Sequence, residues 1–97
     1  MAEISYHPEA EAEIQAATAW YLNRSARAAA GLVEELERVI AMIQQFPELQ
    51  PLYDDRHRFA VLRRYPYCVV YRVDGDRIRV IAFAHSRQSA GYWQGRA

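Results

Sequence analysis

The C-terminal part of the sequence contains residues that can recognise a phosphate or a carboxylate. Arg63 and Arg64 precede Tyr67, and His85 and Arg87 close a later apolar run. Arginine binds both anions in bidentate fashion, and histidine exchanges protons near neutral pH. Such a set can bind and cleave a phosphodiester, or it can bind an acidic protein segment without any chemistry. The residue types alone leave both interpretations open.

Signatures of several enzyme classes are missing from the sequence. The four glycines form neither a P-loop nor a dinucleotide-binding fingerprint. The three histidines show no i, i+4 spacing and the single cysteine, Cys68, has no second thiolate, so we predict no metal site. The chain has no lysine, which excludes a Schiff base. We therefore predict that the protein uses no cofactor.

Opposite charges occupy the two halves of the chain. Residues 1–55 carry ten acidic residues and three arginines, a net charge of −7. Residues 56–97 carry nine arginines and two acidic residues, a net charge of +7. A basic half built only from arginine indicates an acidic partner, either nucleic acid or an acidic protein segment. The alternative is that the two halves neutralise each other when the chain folds.

Length and composition indicate one globular domain over residues 1–97. The apolar fraction is 52% and the charged fraction is 25%, values that exclude disorder as the default state. The longest uncharged run covers residues 14–23, too short to span a bilayer, so we predict no membrane partner. The acidic N-terminus does not resemble a secretory signal, and a lone cysteine suits a reducing compartment. We therefore predict a cytoplasmic protein.

Hydrophobic periodicity predicts one short strand followed by two helices. Residues 2–7 alternate as a strand, and Pro8 suits the first turn of a helix that the apolar spacing extends over residues 8–23. Ser25 is a predicted N-cap for a second helix over residues 26–45, which gives an antiparallel helical hairpin. The apolar stripe that we expect to face the core comprises Ala29, Leu32, Val33, Leu36, Ile40 and Ile43.

The period changes to two in the second half of the chain. Strands are predicted over residues 58–64, 67–73 and 77–85, and Pro66 should lie at a strand start or an edge. The order β-α-α-β-β-β predicts an α+β fold in which the helical hairpin packs on one face of a three-stranded antiparallel meander.

The meander should bring the candidate residues to one rim of the sheet. Because adjacent strands run antiparallel, the end of the first, the start of the second and the end of the third lie together. The residues expected on this rim are Arg63, Arg64, Tyr67, His85 and Arg87. We expect Tyr92 and Trp93 to pack the tail onto the body, with a stacking surface for bases as the alternative.

Several strings, in this order along the chain, resemble the RelE/ParE superfamily of type II toxins. They are Arg-Arg-Tyr-Pro-Tyr-Cys-Val-Val-Tyr-Arg-Val (63–73), Ile-Arg-Val-Ile-Ala-Phe-Ala-His-Ser-Arg (78–87) and Gly-Tyr-Trp (91–93). His-Pro-Glu-Ala (7–10) and Phe-Pro (46–47) agree with the same pattern. The resemblance implies a toxin that a cognate antitoxin neutralises, and we expect that partner to offer an acidic, amphipathic segment.

The superfamily has two functional branches. RelE-like members are ribosome-dependent mRNA endoribonucleases, whereas ParE-like members poison DNA gyrase by binding it. The nucleases carry an arginine three residues before the tyrosine of a Val-Tyr pair on the middle strand. In this sequence Tyr71 is that tyrosine, and Cys68 occupies the arginine position. A missing guanidinium, which would stabilise the charge of the transition state, favours the ParE-like branch.

We therefore predict a ParE-like growth inhibitor that acts on gyrase. One alternative is a RelE-like endoribonuclease that acts on ribosome-bound mRNA, and the other is a non-toxic relic bound by its antitoxin. The catalytic group of the nuclease alternative would be Arg63, Arg64, His85 and Arg87. The predicted contact residues for target or antitoxin are Arg63, Arg64, Tyr67, His85, Arg87, Tyr92 and Trp93.

Overall fold

Residues 2–97 fold into four strands and two helices in the predicted order. The structure is a computed structural model that describes residues 2–97, so Met1 of the predicted domain lies outside the described residues. The elements are β1 (Glu3–Tyr6), α1 (Pro8–Leu22), α2 (Ala26–Gln45), β2 (His57–Val61), β3 (Tyr67–Asp74) and β4 (Arg77–His85). The predicted α+β fold is confirmed. Neither of the two helices has the length and apolar character needed to cross a bilayer.

The four strands form one sheet in the order β1-β4-β3-β2. The strands β2, β3 and β4 make the predicted antiparallel meander. The first strand, β1, pairs parallel with the last, from Glu3 opposite Arg77 to Tyr6 opposite Val80. This pairing places both helices in the crossover between β1 and the meander, and they cover one face of the sheet.

The first strand of the meander is shorter than predicted. We predicted residues 58–64, but β2 ends at Val61. The amide of Leu62 still donates to the carbonyl of Tyr67 at 3.0 Å. The next amide, that of Arg63, donates to the carboxylate of Glu35 on α2 instead of continuing a ladder. A side chain from a helix therefore ends this strand, and periodicity along the strand carries no sign of it.

Both helices begin with a side-chain cap. The Oγ atom of Ser25 accepts from the amide of Ala28 at 3.1 Å, which confirms the predicted cap of α2. At α1, Nδ1 of His7 accepts from the amide of Glu9 at 3.1 Å, ahead of Pro8 in the first turn. His7 thus supplies the acceptor that Ser or Asp more commonly provides at this position.

The face of α2 that meets the sheet differs from the predicted stripe at one position. Leu32 and Ile43 are buried as expected, and Leu36 is half-buried against the core. Val33, predicted to face the core, is 38% exposed, whereas Val39 is buried in its place. Val39 follows Leu32 by seven residues, two turns of the helix, and therefore lies on the same side as Leu32. Val33, which follows Leu32 directly, points to a different side of the helix.

A β-bulge in β4 decides which of its residues face the helices. Val70 pairs with Ala82 and Tyr71 pairs with Val80, so Ile81 is an extra residue on β4. Ile81 and Ala82 consequently pack together on the face away from the helices. Because of this shift, Phe83 joins Val80 in the helix-side core, where strict alternation would place Ala82.

The C-terminal tail, residues 86–97, covers the face of the sheet that the helices leave free. Trp93 is 3% exposed and packs in a second apolar cluster with Val70, Ile81 and Ala82. Tyr92 lies against the same cluster. The predicted packing of Tyr92 and Trp93 onto the body is therefore confirmed.

The tail also covers the edge of β4 beyond the end of β1. Arg96 donates to the carbonyl of Ile81 at 3.1 Å and to the carboxylate of Glu13 on α1 at 3.0 Å. The same carboxylate accepts from the amide of Phe83 at 3.0 Å and from the hydroxyl of Tyr92 at 2.8 Å. Glu13 therefore joins α1, β4 and the tail.

The contacts of Glu13 shift the pKa of two groups in opposite directions. Burial alone raises the pKa of the Glu13 carboxyl, but hydrogen bonds from Arg96, Phe83 and Tyr92 outweigh burial and hold the pKa below its usual value. The pKa of Tyr92 is raised, first by burial and then by its hydrogen bond to Glu13. At neutral pH the cluster consequently holds an ionised carboxylate and a neutral phenol.

Replacing single side chains of α2 by alanine should distinguish the buried face of the helix from the exposed face. We expect Leu32→Ala to lower the free energy of unfolding by about 2–5 kcal/mol, since it empties a buried site in the core. The matched change Val33→Ala should alter it by less than about 0.5 kcal/mol, because that side chain meets solvent. Urea denaturation of both variants measures the difference. Equal losses would contradict the assignment of the two faces.

Loss of the Glu13 charge should change how stability responds to acid. Because the folded pKa of Glu13 lies below the unfolded one, its stabilisation is present above about pH 4.5 and is lost as the pH falls toward the folded pKa. We expect Glu13→Gln to be less stable than the wild type at pH 7 by about 1–3 kcal/mol. Its stability should also fall less between about pH 5 and pH 3.

Urea denaturation across this pH range measures the effect, with Glu37→Gln as the control at an exposed position of α2. The assignment would be wrong if Glu13→Gln followed the wild-type pH dependence.

Candidate functional site

The turn between β2 and β3, residues 62–66, carries Arg63 and Arg64 on the surface. The carboxylate of Glu35 on α2 accepts from the amide of Arg63 and, at 3.3 Å, from the amide of Arg64. This contact fixes the backbone of the turn while both arginine side chains stay exposed. The side chain of Glu35 is only 10% exposed, whereas Glu34 and Glu37 beside it on α2 face the solvent.

A tyrosine holds the same turn against both helices. The hydroxyl of Tyr65 donates to the carbonyl of Ala28 at 2.7 Å, and its ring meets the ring of Tyr21 edge to face at 5.1 Å. The hydroxyl comes so close to α2 that a Cβ atom at Gly31 would lie 2.5 Å from it. A glycine at this position therefore makes the close approach of the turn possible.

The ends of β3 and β4 meet at the same end of the sheet as this turn. Tyr67 and His85 are cross-strand partners, and their rings meet edge to face at 5.0 Å. The amide of Ser86 donates to the carbonyl of Pro66 at 2.8 Å. The ring of Tyr67 stacks on that of Phe83 at 4.5 Å, on the helix side. The structure thus brings the predicted rim residues to one end of the sheet.

His85 is held by its own neighbours. Its Nδ1 atom accepts from the amide of Arg87 at 3.0 Å, and its amide donates to the side chain of Gln88 at 2.8 Å. An Nδ1 atom that accepts fixes the neutral ring with its proton on Nε2. Nε2 is then the ring nitrogen of His85 that is left to contact a partner, as a hydrogen-bond donor.

An apolar groove of about 380 Å³ lies on the outer face of the sheet, beside the tail. Its walls include Phe59, Val61, Cys68, Ala84, Tyr92 and Trp93. Cys68 is half-buried there, and burial raises the pKa of its thiol, which keeps it protonated at neutral pH. Cys68 is therefore a neutral side chain in the wall of an apolar groove.

A second cavity, of about 740 Å³, lies on the helix side of the same rim. Tyr67 and His85 border both cavities, and Glu13, Tyr21 and Arg87 contribute to this one. Trp20 lines it with its ring exposed to solvent, and the guanidinium of Arg24 lies 3.7 Å from the ring centroid. This cavity is more polar than the groove and offers aromatic, cationic and anionic surfaces together.

A buried histidine–aspartate pair, which sequence reasoning missed, anchors the tail from the opposite side. Nδ1 of His57 lies 2.9 Å from a carboxylate oxygen of Asp54, and the His57 ring meets Trp93 at 4.7 Å. Burial alone raises the pKa of Asp54, but hydrogen bonds from Arg56, Gln94 and His57 outweigh it and hold the pKa well below its usual value. Because the His57 ring is buried behind the tail, the pair fixes Trp93 and does not face a ligand.

The predicted contact residues differ in how far a partner can reach them. Arg63, Arg64 and Arg87 are exposed, and within residues 2–97 none of their guanidinium groups lies within 4.0 Å of a carboxylate. Tyr92 is bonded to Glu13, and Trp93 is a packing residue of the outer cluster. The side chains of this rim that a partner can reach are therefore cationic, and they lie beside an apolar groove.

Comparisons with known proteins agree with this fold. A structure described as a chromosomal ParDE toxin–antitoxin system from P. aeruginosa superposes with a TM-score of 0.74 at 20% identity, covering 88% of this chain and 96% of that one. Comparison with curated proteins finds no match. The family model for the ParE toxin of the type II toxin–antitoxin system parDE matches residues 4–90. With nearly its whole length matched, this chain belongs to the ParE toxin family of type II toxin–antitoxin systems.

Proposed function

We propose that this ParE-family toxin stops growth by binding DNA gyrase in the cytoplasm, and that a cognate antitoxin neutralises it. The observation that carries the proposal is the state of Cys68. A protonated thiol in an apolar groove cannot stabilise the charge of a phosphoryl transition state, for which the nuclease branch uses a guanidinium. The protein is therefore better suited to act by binding than by cleaving RNA.

The hydrogen bonds of His85 support the same proposal. A ribonuclease needs a group that removes a proton from the attacking hydroxyl, within hydrogen-bond reach. Nδ1 of His85 is occupied by the amide of Arg87, so the neutral ring offers a donor to the surface and no acceptor. Tyr67 is stacked on Phe83, and its pKa is raised by burial and then by the nearby Tyr21. Neither group is prepared to act as a base.

For the antitoxin we propose a contact surface on the rim. Arg63, Arg64 and Arg87 supply three exposed guanidiniums without carboxylate partners, which fit an acidic segment. Tyr67 and His85 border both cavities beside them, and Tyr92 lines the groove with its ring. Trp93 contributes by holding the tail in place.

A first test distinguishes binding from cleavage in cells. Expression of the toxin without its antitoxin should arrest growth, induce the DNA-damage response and leave ribosome-bound mRNA intact. Cys68→Ser should arrest growth equally, since we assign the thiol no chemical role. Cleaved mRNA that disappears with Arg63→Ala or His85→Ala would establish the RelE-like nuclease instead, using Arg63, Arg64, His85 and Arg87. Normal growth would identify a non-toxic relic.

A second test addresses the proposed antitoxin surface. We expect Arg63→Glu and Arg87→Glu to weaken the toxin–antitoxin complex and to make its dissociation constant less dependent on salt, because each removes an attractive charge. Titration calorimetry at two salt concentrations measures both effects. Arg77→Glu is the matched control, since Arg77 is exposed at the opposite end of the sheet. Equal affinities and equal salt dependence in all three variants would exclude this surface.

A further inference from the structure

The acidic half of the chain has only three arginines, and all of them lie in α2 or in the turn that precedes it. They are Arg24, Arg27 and Arg38. Arg27, Gly31 and Glu35 follow one another at intervals of four residues, so they share one side of the helix. Arg38 lies on the same side, and its guanidinium is 3.7 Å from the carboxylate of Glu35. One side of α2 is therefore cationic in a half of the chain that is otherwise acidic.

The turn between β2 and β3 places two more arginines against this side of α2. The hydroxyl of Tyr65 donates to the carbonyl of Ala28 at 2.7 Å. The carboxylate of Glu35 accepts from the amides of Arg63 and Arg64. The turn therefore runs beside α2 from the first turn of the helix to its middle. We call the five arginines along this contact the arginine face: Arg24, Arg27, Arg38, Arg63 and Arg64.

The charge of the arginine face is only weakly neutralised by the protein itself. All five arginines are exposed, and among residues 2–97 the pair of Arg38 with Glu35 is the only ion pair that they form. Glu35 is 10% exposed and already accepts two backbone amides. Glu34, seven residues after Arg27, is the one exposed carboxylate on the same side of α2. The face therefore presents five guanidiniums to the solvent beside a single exposed carboxylate.

The surface between these arginines suits a polyanion better than a protein. Between Arg27 and Arg38 this side of α2 carries Ala30, Gly31 and Glu34, so it has no large apolar side chain. A protein interface needs an apolar centre with well-packed anchor residues. Phosphates of a nucleic-acid backbone need none, because guanidinium groups bind them by charge and by bidentate hydrogen bonds. The arginine face therefore matches a phosphate backbone.

The arginine face is also long enough to follow such a backbone. Arg27 and Arg38 are eleven residues apart, which is about 16 Å along the helix axis. Arg63 and Arg64 lie between these two ends, beside Glu35. The guanidiniums consequently form a row and not a single anion site. Because a DNA strand carries one phosphate per about 3.4 Å of helix axis, the row can contact several phosphates in succession.

We propose that the arginine face binds the phosphate backbone of the duplex DNA that gyrase holds, so that the toxin recognises DNA-bound gyrase in preference to free gyrase. The guanidiniums donate to phosphate oxygens and read no base sequence, as expected for contacts to a backbone. The identity of gyrase rests on the proposed function, whereas the phosphate site rests on the placement of the arginines along α2 and the turn.

Fluorescence anisotropy of a labelled DNA duplex with the purified toxin tests the phosphate site. The double variant Arg27→Ala/Arg38→Ala should raise the dissociation constant by at least about tenfold and lower the salt slope by about two, one for each lost phosphate contact. The matched control Arg56→Ala/Arg77→Ala removes two exposed arginines at the opposite end of the sheet and should stay within about threefold. Circular dichroism checks that both variants are folded.

Binding to immobilised gyrase, with and without a bound DNA duplex, tests the recognition of the complex. DNA should raise the affinity of the wild-type toxin for gyrase by at least about tenfold, and this gain should be lost in Arg27→Ala/Arg38→Ala. Equal losses of DNA affinity in the two double variants would overturn the proposal. So would binding of single-stranded RNA without binding of duplex DNA, or equal affinity for gyrase with and without DNA.

The outcomes separate this proposal from the one on which it rests. If the toxin binds gyrase equally well with and without DNA, and the arginine variants bind it like the wild type, the DNA contact is wrong while gyrase remains the target. If the toxin binds duplex DNA through the arginine face but does not bind gyrase in either state, the proposed function is wrong and only the phosphate site stands.

Discussion

The structure depends on the carboxylate of Glu13, which takes the place of a neighbouring strand at the edge of β4. Because β1 ends at Tyr6, the edge of β4 beyond it would expose backbone groups to the solvent at the rim of a small core. Glu13 accepts the amide of Phe83, and its partner Arg96 donates to the carbonyl of Ile81. This ion pair consequently closes the edge and also holds the tail against the outer face of the sheet. The wall of the groove exists because the tail is held there.

A second carboxylate binds backbone amides of the turn that carries the exposed arginines and so fixes its conformation. Glu35 accepts backbone amides of Arg63 and Arg64 and leaves their guanidiniums free. The opposite charges of the two halves are therefore only partly neutralised by folding. Among the arginine ion pairs within residues 2–97, those of Arg96 with Glu9 and Glu13 alone join the acidic half to the basic half. The guanidiniums on the rim, which have no carboxylate partner among the described residues, remain accessible to a partner.

The rim presents cationic and apolar surface side by side. The thiol of Cys68 is neutral, Nδ1 of His85 accepts a backbone amide, and the half-buried ring of Tyr67 stacks on Phe83. The same end of the sheet combines exposed guanidiniums with an apolar groove. An acidic segment with an apolar side chain is complementary to both features, which is why we propose that the rim binds the antitoxin.

Periodicity alone determined the element order, both helices and the meander, because apolar spacing reports which face of each element is buried. It also placed the rim residues, since strand ends in a meander meet by geometry. Tertiary structure decided the rest. The bulge at Ile81 reverses alternation within β4, Val39 replaces Val33 on the buried side of α2, and Glu35 ends β2 early. The bulge and the early end of β2 depend on contacts between residues distant in the chain, which local patterns do not report, whereas the helical period by itself places Val39 on the side of Leu32.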